Sequence, residues 1–142
     1  MGDGYAPIGM GRCTYETMEQ SIRVVLADDE PHFRDLLGTF LRRDGRFTIV
    51  GEAGDGRDAV DLTAEHQPDV VVLDLNMPRV RGEEALAEIR DACSGVRIVI
   101  VSAVLGHHSE EALLAAGADA CIAKDTPART MVAAIGDVIR AG

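Results

Sequence analysis

Between residues 21 and 142 short apolar runs alternate with amphipathic stripes, five of each, and this alternation restricts the fold more than any other feature of the chain. Ile22–Ala27 (IRVVLA) comes first. Phe33, Leu36, Leu37, Phe40 and Leu41 follow at i, i+3, i+4, i+7 and i+8, the period of a helix with one buried face. Pro31 stands near its first turn and Asp44-Gly45 at its stop. The next run is 47–53 (FTIVGEA). A second helix follows from Gly56-Arg57-Asp58, with Ala59, Val60, Thr63 and Ala64 on one side, and ends before Pro68. Val70–Leu73 is wholly apolar and runs into Asp74. Met77-Pro78 and Gly82 punctuate a loop, and Leu86, Ile89 and Cys93 mark a third helix. Val96–Val101 ends in Ser102. Residues 109–116 read as a short helix capped by Ser109 and stopped by Gly117. Ala120–Ala123 is a weak strand before Lys124, and Met131, Val132, Ile135, Val138 and Ile139 repeat the helical stripe. Strands alternating with helices form a parallel sheet covered on both faces, here an α/β, doubly wound, five-stranded one. The unbroken apolar runs at 70–73 and 98–101 suit strands buried on both sides.

The 142 residues carry a net charge of −10. Phosphate backbones need a basic face, so direct nucleic-acid binding by this domain is not expected. The apolar runs are far too short to span a bilayer, and no basic segment leads into an apolar one at the N-terminus, so neither membrane nor export is expected. Cys13, Cys93 and Cys121 form no CxxC pair, which argues against a zinc or redox motif; a reduced, cytoplasmic protein is the expectation. Cys93 and Cys121 read as core fillers. Residues 1–20 are Gly-rich and aperiodic and read as a disordered tail or cloning remnant, with Met18 as a candidate natural start. Residues 21–142 read as one domain with no second domain after it.

In an open α/β sheet, ligands bind beyond the carboxyl ends of the strands. Four of the five runs end in reactive side chains: Asp28-Asp29, Asp74, Ser102 and Lys124. Lys124 is the only lysine among 14 basic residues. Each has an ordinary reading alone: a helix-dipole acidic cluster for Asp28-Asp29-Glu30, a turn residue for Asp74, a surface lysine for Lys124. It is their joint placement that points to chemistry. Three carboxylates at one point repel by roughly 4 kcal/mol per pair at 4 Å and an effective dielectric near 20. Such a cluster binds a cation or takes up protons. A few oxygen ligands suit Mg²⁺. With the dication and Lys124, the three carboxylates sum to zero formal charge, so the pocket can receive a phosphoryl group. Asp74, at the end of the third run, is the candidate carboxylate nucleophile. His107-His108 reads as solvated loop.

Over essentially all of 21–142 the chain resembles the receiver domain of bacterial response regulators. The resemblance rests on VVLADDEP, VVVLDLNMP, VIVSA and IAKDTP. It implies a CheY-like, flavodoxin-like sheet in strand order 2-1-3-4-5. By resemblance Asp74 is the phosphoacceptor, Asp29 a direct Mg²⁺ ligand, Asp28 a ligand acting mainly through water, and the backbone carbonyl of Asn76 a further ligand. Ser102 is similar to the hydroxyl that turns toward the phosphoryl group, Lys124 to the lysine that pairs with it, and small Ala103 leaves room for it. The implied partner is a sensor histidine kinase, with a homodimer or downstream protein on the 103–142 face. The implied role is two-component signal transduction, in which the domain catalyses only its own phosphorylation and slow dephosphorylation. The KDTP segment is similar to receivers that carry LuxR-type output domains, so transcription regulation is implied, with this sequence either a stand-alone receiver or a truncated one. Asp125 replaces the proline common after the lysine, as in that group.

Two departures carry consequences. Cys121 stands where the family has its switching aromatic ring, so switching would rest on Ser102 and on movement of 103–117. Val104 has no polar atom to position a hydrolytic water, so slow loss of phosphate is expected. The competing classes are a Mg²⁺-dependent phosphohydrolase with an aspartate nucleophile and a docking module that is never phosphorylated. The first normally has an acid two residues after the nucleophile, where this chain has Asn76; the intact acidic residues and Lys124 argue against the second.

Overall fold

A computed structural model describes residues 21–77, 82–103 and 110–141. The tail read at 1–20, Cys13, Pro78, Val104, His107, His108 and the expected cap Ser109 lie outside these residues. The strands are β1 (Ile22–Ala27), β2 (Phe47–Ala53), β3 (Val70–Asp74), β4 (Arg97–Ser102) and β5 (Ala120–Ala123). The helices are α1 (Pro31–Asp44), α2 (Gly56–His66), α3 (Gly82–Ala92), α4 (Glu110–Ala115) and α5 (Ala128–Ala141). All strand pairs are parallel, in the order β2-β1-β3-β4-β5. Fold class and strand order agree with the sequence expectation.

Successive residues of a strand face opposite sides of its sheet, and the core divides accordingly. Val24, Leu26, Val70, Val72, Val99 and Val101 meet Leu37 and Leu41 of α1 and Met131, Val132 and Ile135 of α5. Val25, Ala27, Val71, Leu73, Ile98 and Ile100 meet Ala59 and Val60 of α2, Leu86 and Ile89 of α3, and Leu113 of α4. Two apolar layers therefore sandwich one sheet, which is why β3 is buried at every position.

The helix ends obey local rules. Gly45 stops α1 at φ +86°, and Gly117 follows α4 at φ +121°, conformations that cost a side chain dearly. The Asp55 carboxylate caps α2 by accepting from the Asp58 amide at 2.8 Å. Three expectations shift. Leu36 is 51% exposed although it lies on the apolar stripe of α1, because that stripe is wider than the strip of sheet it covers. Ala64 is exposed on α2, where Leu62 packs against the core instead. β4 begins at Arg97 and includes Ser102.

Candidate functional site

All five strands run the same way, so their carboxyl ends share one rim. Asp28 directly follows β1, Asp74 closes β3, Ser102 closes β4, and Lys124 directly follows β5. β2, at the sheet edge, ends in Ala53 and brings no reactive side chain. The backbone fixes two of these positions. The Asp28 amide donates to the Ala53 carbonyl at 2.9 Å, and the Lys124 amide to the Ser102 carbonyl at 3.0 Å. Arg34 adds a further tie by donating to the Asp28 carbonyl.

Carboxylate oxygens of Asp28, Asp29 and Asp74 all lie within 4.8 Å of one another. Asp28 and Asp74 are buried, whereas Asp29 is exposed. Lys124 reaches across this group. Its ammonium lies 2.8 Å from Asp28 Oδ2 and 3.7 Å from Asp74 Oδ2. It also contacts the Glu30 carboxylate, and the Phe33 ring lies 4.7 Å from it. Asp74 Oδ1 accepts from the Asn76 amide at 3.1 Å. The Asn76 side chain reaches Ser102 Oγ at 3.4 Å, a long hydrogen bond.

Charge and burial set the protonation behaviour. Burial pushes the Asp74 carboxyl above its ordinary value; the Asn76 amide opposes this, and the charges of Asp28 and Asp29 add to it. Burial pulls the Lys124 ammonium down, but contacts with Asp28 and Glu30 and the charge of Asp74 outweigh it, so Lys124 holds its proton more tightly than an ordinary lysine. The Lys124 contact holds the exposed Glu30 carboxyl below its usual range.

The donor set fits a hard dication. Asp28 Oδ2 is buried and, despite its ion pair with Lys124, has no hydrogen bond of good geometry, so one acceptor lone pair remains for a cation. Oxygen ligands in small number, leaving room for waters, are what Mg²⁺ accepts. Among the described residues, Asp28, Asp29 and Asp74 bring carboxylate oxygens close enough together to hold one.

Sequence reasoning named every strand-end residue here and missed three neighbours. Glu30 spoils the neutral charge sum: with it, four carboxylates face one ammonium, and a dication still leaves a formal charge of −1. Its signal was its place in the ADDEP run. Phe33 was read as core, and Arg34 carried no signal among so many arginines. Ala103 is exposed beside Ser102, and Asp125 is exposed after Lys124. Cys121 is partly buried against the core, and burial, with the charge of Glu110, pushes its thiol up, so it is no reactive nucleophile.

The response regulator receiver domain family matches residues 24–136. The transcriptional regulatory protein DegU of Brevibacillus brevis is 30% identical over 128 residues, covering 87% of this chain and 52% of that protein. The chain spans about half the length of the first curated relatives it matches. Among solved structures, the receiver domain of the response regulator NarL from Mycobacterium tuberculosis superposes with a TM-score of 0.76 at 34% identity, covering 87% of this chain and 99% of that one. The CheX–CheY complex with beryllofluoride and magnesium from Borrelia burgdorferi gives a TM-score of 0.74 at 26% identity, covering 82% of this chain and 88% of that one.

Proposed function

The chain belongs to the response regulator receiver domain family, and from that premise we propose that it accepts a phosphoryl group on Asp74 from a phosphohistidine of a sensor kinase. One observation carries this reading: an ammonium 50 residues downstream in sequence lies 3.7 Å from Asp74 Oδ2, with two further aspartates beside it. An Asp74 oxygen attacks the phosphorus. The P–N bond breaks, its electron pair goes to the departing imidazole, and that ring takes a proton. The product is an acyl phosphate on Asp74. The Lys124 ammonium neutralises charge on the phosphoryl oxygens, and the Ser102 hydroxyl donates to one of them. Asp28, Asp29, Asp74 and the Asn76 carbonyl would hold a Mg²⁺ ion, which would supply the remaining positive charge. The Borrelia relative, whose structure contains beryllofluoride and magnesium, supports this chemistry.

The phosphorylated domain signals and does not turn over a separate substrate. It acts in transcription regulation, as the names of its relatives say of them. The receiver unit is 21–142. Its 103–142 face meets a second copy or a downstream protein, and with a charge of −10 the domain itself does not grip DNA. Cytoplasmic residence follows from the kinase and output partners; no described helix is long and apolar enough to cross a membrane.

Incubation with acetyl phosphate, with and without Mg²⁺, tests the proposal by intact mass. One phosphoryl adduct should form only with Mg²⁺ and map to the peptide carrying Asp74. No adduct, an adduct elsewhere, or sustained release of phosphate from a phosphoester would overturn it. Once formed, the adduct should decay over minutes or longer, and Val104→Glu should shorten that lifetime by offering a carboxylate to the hydrolytic water. An unchanged decay rate would remove Val104 from the account.

A further inference from the structure

Lys124 has one more carboxylate partner than the transfer chemistry uses. An ammonium offers three donors. Asp28, Asp74 and Glu30 surround it, with the Phe33 ring 4.7 Å away. The three carboxylates differ in how firmly they are held. The side chains of Asp28 and Asp74 are 4% and 5% exposed, whereas that of Glu30 is 63% exposed. A buried charge cannot lose its partner cheaply, but an exposed one returns to water at little cost. The backbone of Glu30 is nevertheless fixed. Its amide donates to Asp28 Oδ1 at 2.8 Å, and its carbonyl accepts from the Phe33 and Arg34 amides at 3.1 Å each. The carboxylate can therefore swing away while its Cα stays in place.

We infer that Glu30 is a displaceable counter-ion, which competes with the incoming phosphoryl oxygens for the Lys124 ammonium. This inference rests on Asp74 being the acceptor. In the resting state Glu30 occupies a donor of Lys124 that would otherwise face water. On phosphoryl arrival the ammonium exchanges a Glu30 oxygen for a phosphoryl oxygen, with no covalent bond made or broken in that exchange. Glu30 is thus a positioning residue that acts through Lys124. The freed carboxylate remains near a newly anionic group, so Glu30 weakens the loaded state twice, by competition and by repulsion.

Binding of beryllofluoride, a phosphoryl mimic, at saturating Mg²⁺ and followed by amide NMR, tests this. Glu30→Gln should bind the mimic about two- to fivefold more tightly than the wild type, the range an exposed ion pair of up to about 1 kcal/mol allows. Glu65→Gln, which removes an equally exposed charge on α2, should bind like the wild type. Glu30→Asp, one methylene shorter, should show only part of the gain of Glu30→Gln, because it loses reach to Lys124 but keeps the repulsive charge. The advantage of Glu30→Gln should shrink as salt rises. Without metal or mimic, the Lys124 ammonium protons should exchange with solvent faster in Glu30→Gln. Equal or weaker binding by Glu30→Gln, or equal gains from Glu65→Gln, would overturn the inference. A wild type that shows no Asp74-dependent binding would overturn the assignment of Asp74 itself.

Discussion

Asp74→Asn should accept no phosphoryl group and, without Mg²⁺, should unfold at a higher temperature than the wild type. The loss follows because an amide oxygen is a poor nucleophile and cannot form the acyl phosphate. The gain in stability follows from electrostatics. Burial and the neighbouring aspartates raise the Asp74 carboxyl above its ordinary value of 3.8, so the folded state binds that proton more tightly than the unfolded chain does. The stability this proton confers is fully present below 3.8 and is lost as pH rises through the folded value. At neutral pH the ionised Asp74 is therefore a net cost, which the amide removes. A higher Tm is therefore expected for the variant. Mg²⁺ should stabilise the wild type more than the variant. At tenfold above its dissociation constant it adds about 1.4 kcal/mol to a protein that binds it only when folded, and the variant has lost one charged ligand. Thermal unfolding followed by circular dichroism, in EDTA and in Mg²⁺ across acid to neutral pH, measures all of this. A metal-free variant less stable than the wild type, or equal Mg²⁺ gains in both, would contradict it.

The strand ends were legible because a parallel α/β sheet imposes a rule. Each apolar run is short and uninterrupted, so its last residue can be read directly, and parallel order sends every such residue to one rim. Asp28, Asp74, Ser102 and Lys124 converge for that reason alone. Strand order is a different matter: alternation dictates a parallel sheet but not which strand lies beside which, and 2-1-3-4-5 came from resemblance before the register of the strands bore it out. What the sequence hides is long-range side-chain reach. Glu30 meets Lys124 94 residues away in the chain; its place in the ADDEP run marks it as one of an acidic cluster but not as a partner of that lysine. Phe33 falls on the apolar stripe of α1, so periodicity assigned it wholly to the core. Leu36 shows the opposite error, since a stripe predicts which side of a helix faces inward but not how far the sheet extends beneath it.

Arg90 is the strongest case of a residue without a sequence signal, and replacing it should produce the largest loss of stability among changes outside the core. From α3 its guanidinium donates to the Val96 carbonyl at 2.5 Å, to the Gly117 carbonyl through Nε at 3.0 Å, and to Asp119 Oδ2 at 2.7 Å. Asp119 Oδ2 in turn accepts from the Ile98 amide at 2.8 Å. One planar fork thus ties the C-terminal half of α3, the start of β4 and the turn between α4 and β5. Hydrogen bonds to charged groups contribute about 1.5–3 kcal/mol each, and a carbonyl or carboxylate left unpaired adds its own cost. Because the pair is partly exposed, Arg90→Met should lower stability by roughly 3 kcal/mol in total, a fall in Tm on the order of 10 °C. Arg90→Lys should recover only a fraction, because a compact ammonium cannot serve three acceptors held in a fork. Urea unfolding gives the loss directly, and hydrogen exchange at the Ile98 amide should speed up first. This cluster lies at the amino ends of β4 and β5, the opposite edge of the sheet from Asp74. Folded Arg90→Met protein, kept well below its lowered Tm, should therefore still take one phosphoryl group at the wild-type rate. A stability within about 0.5 kcal/mol of wild type, the range of ordinary surface substitutions, would show that the fork ties nothing together.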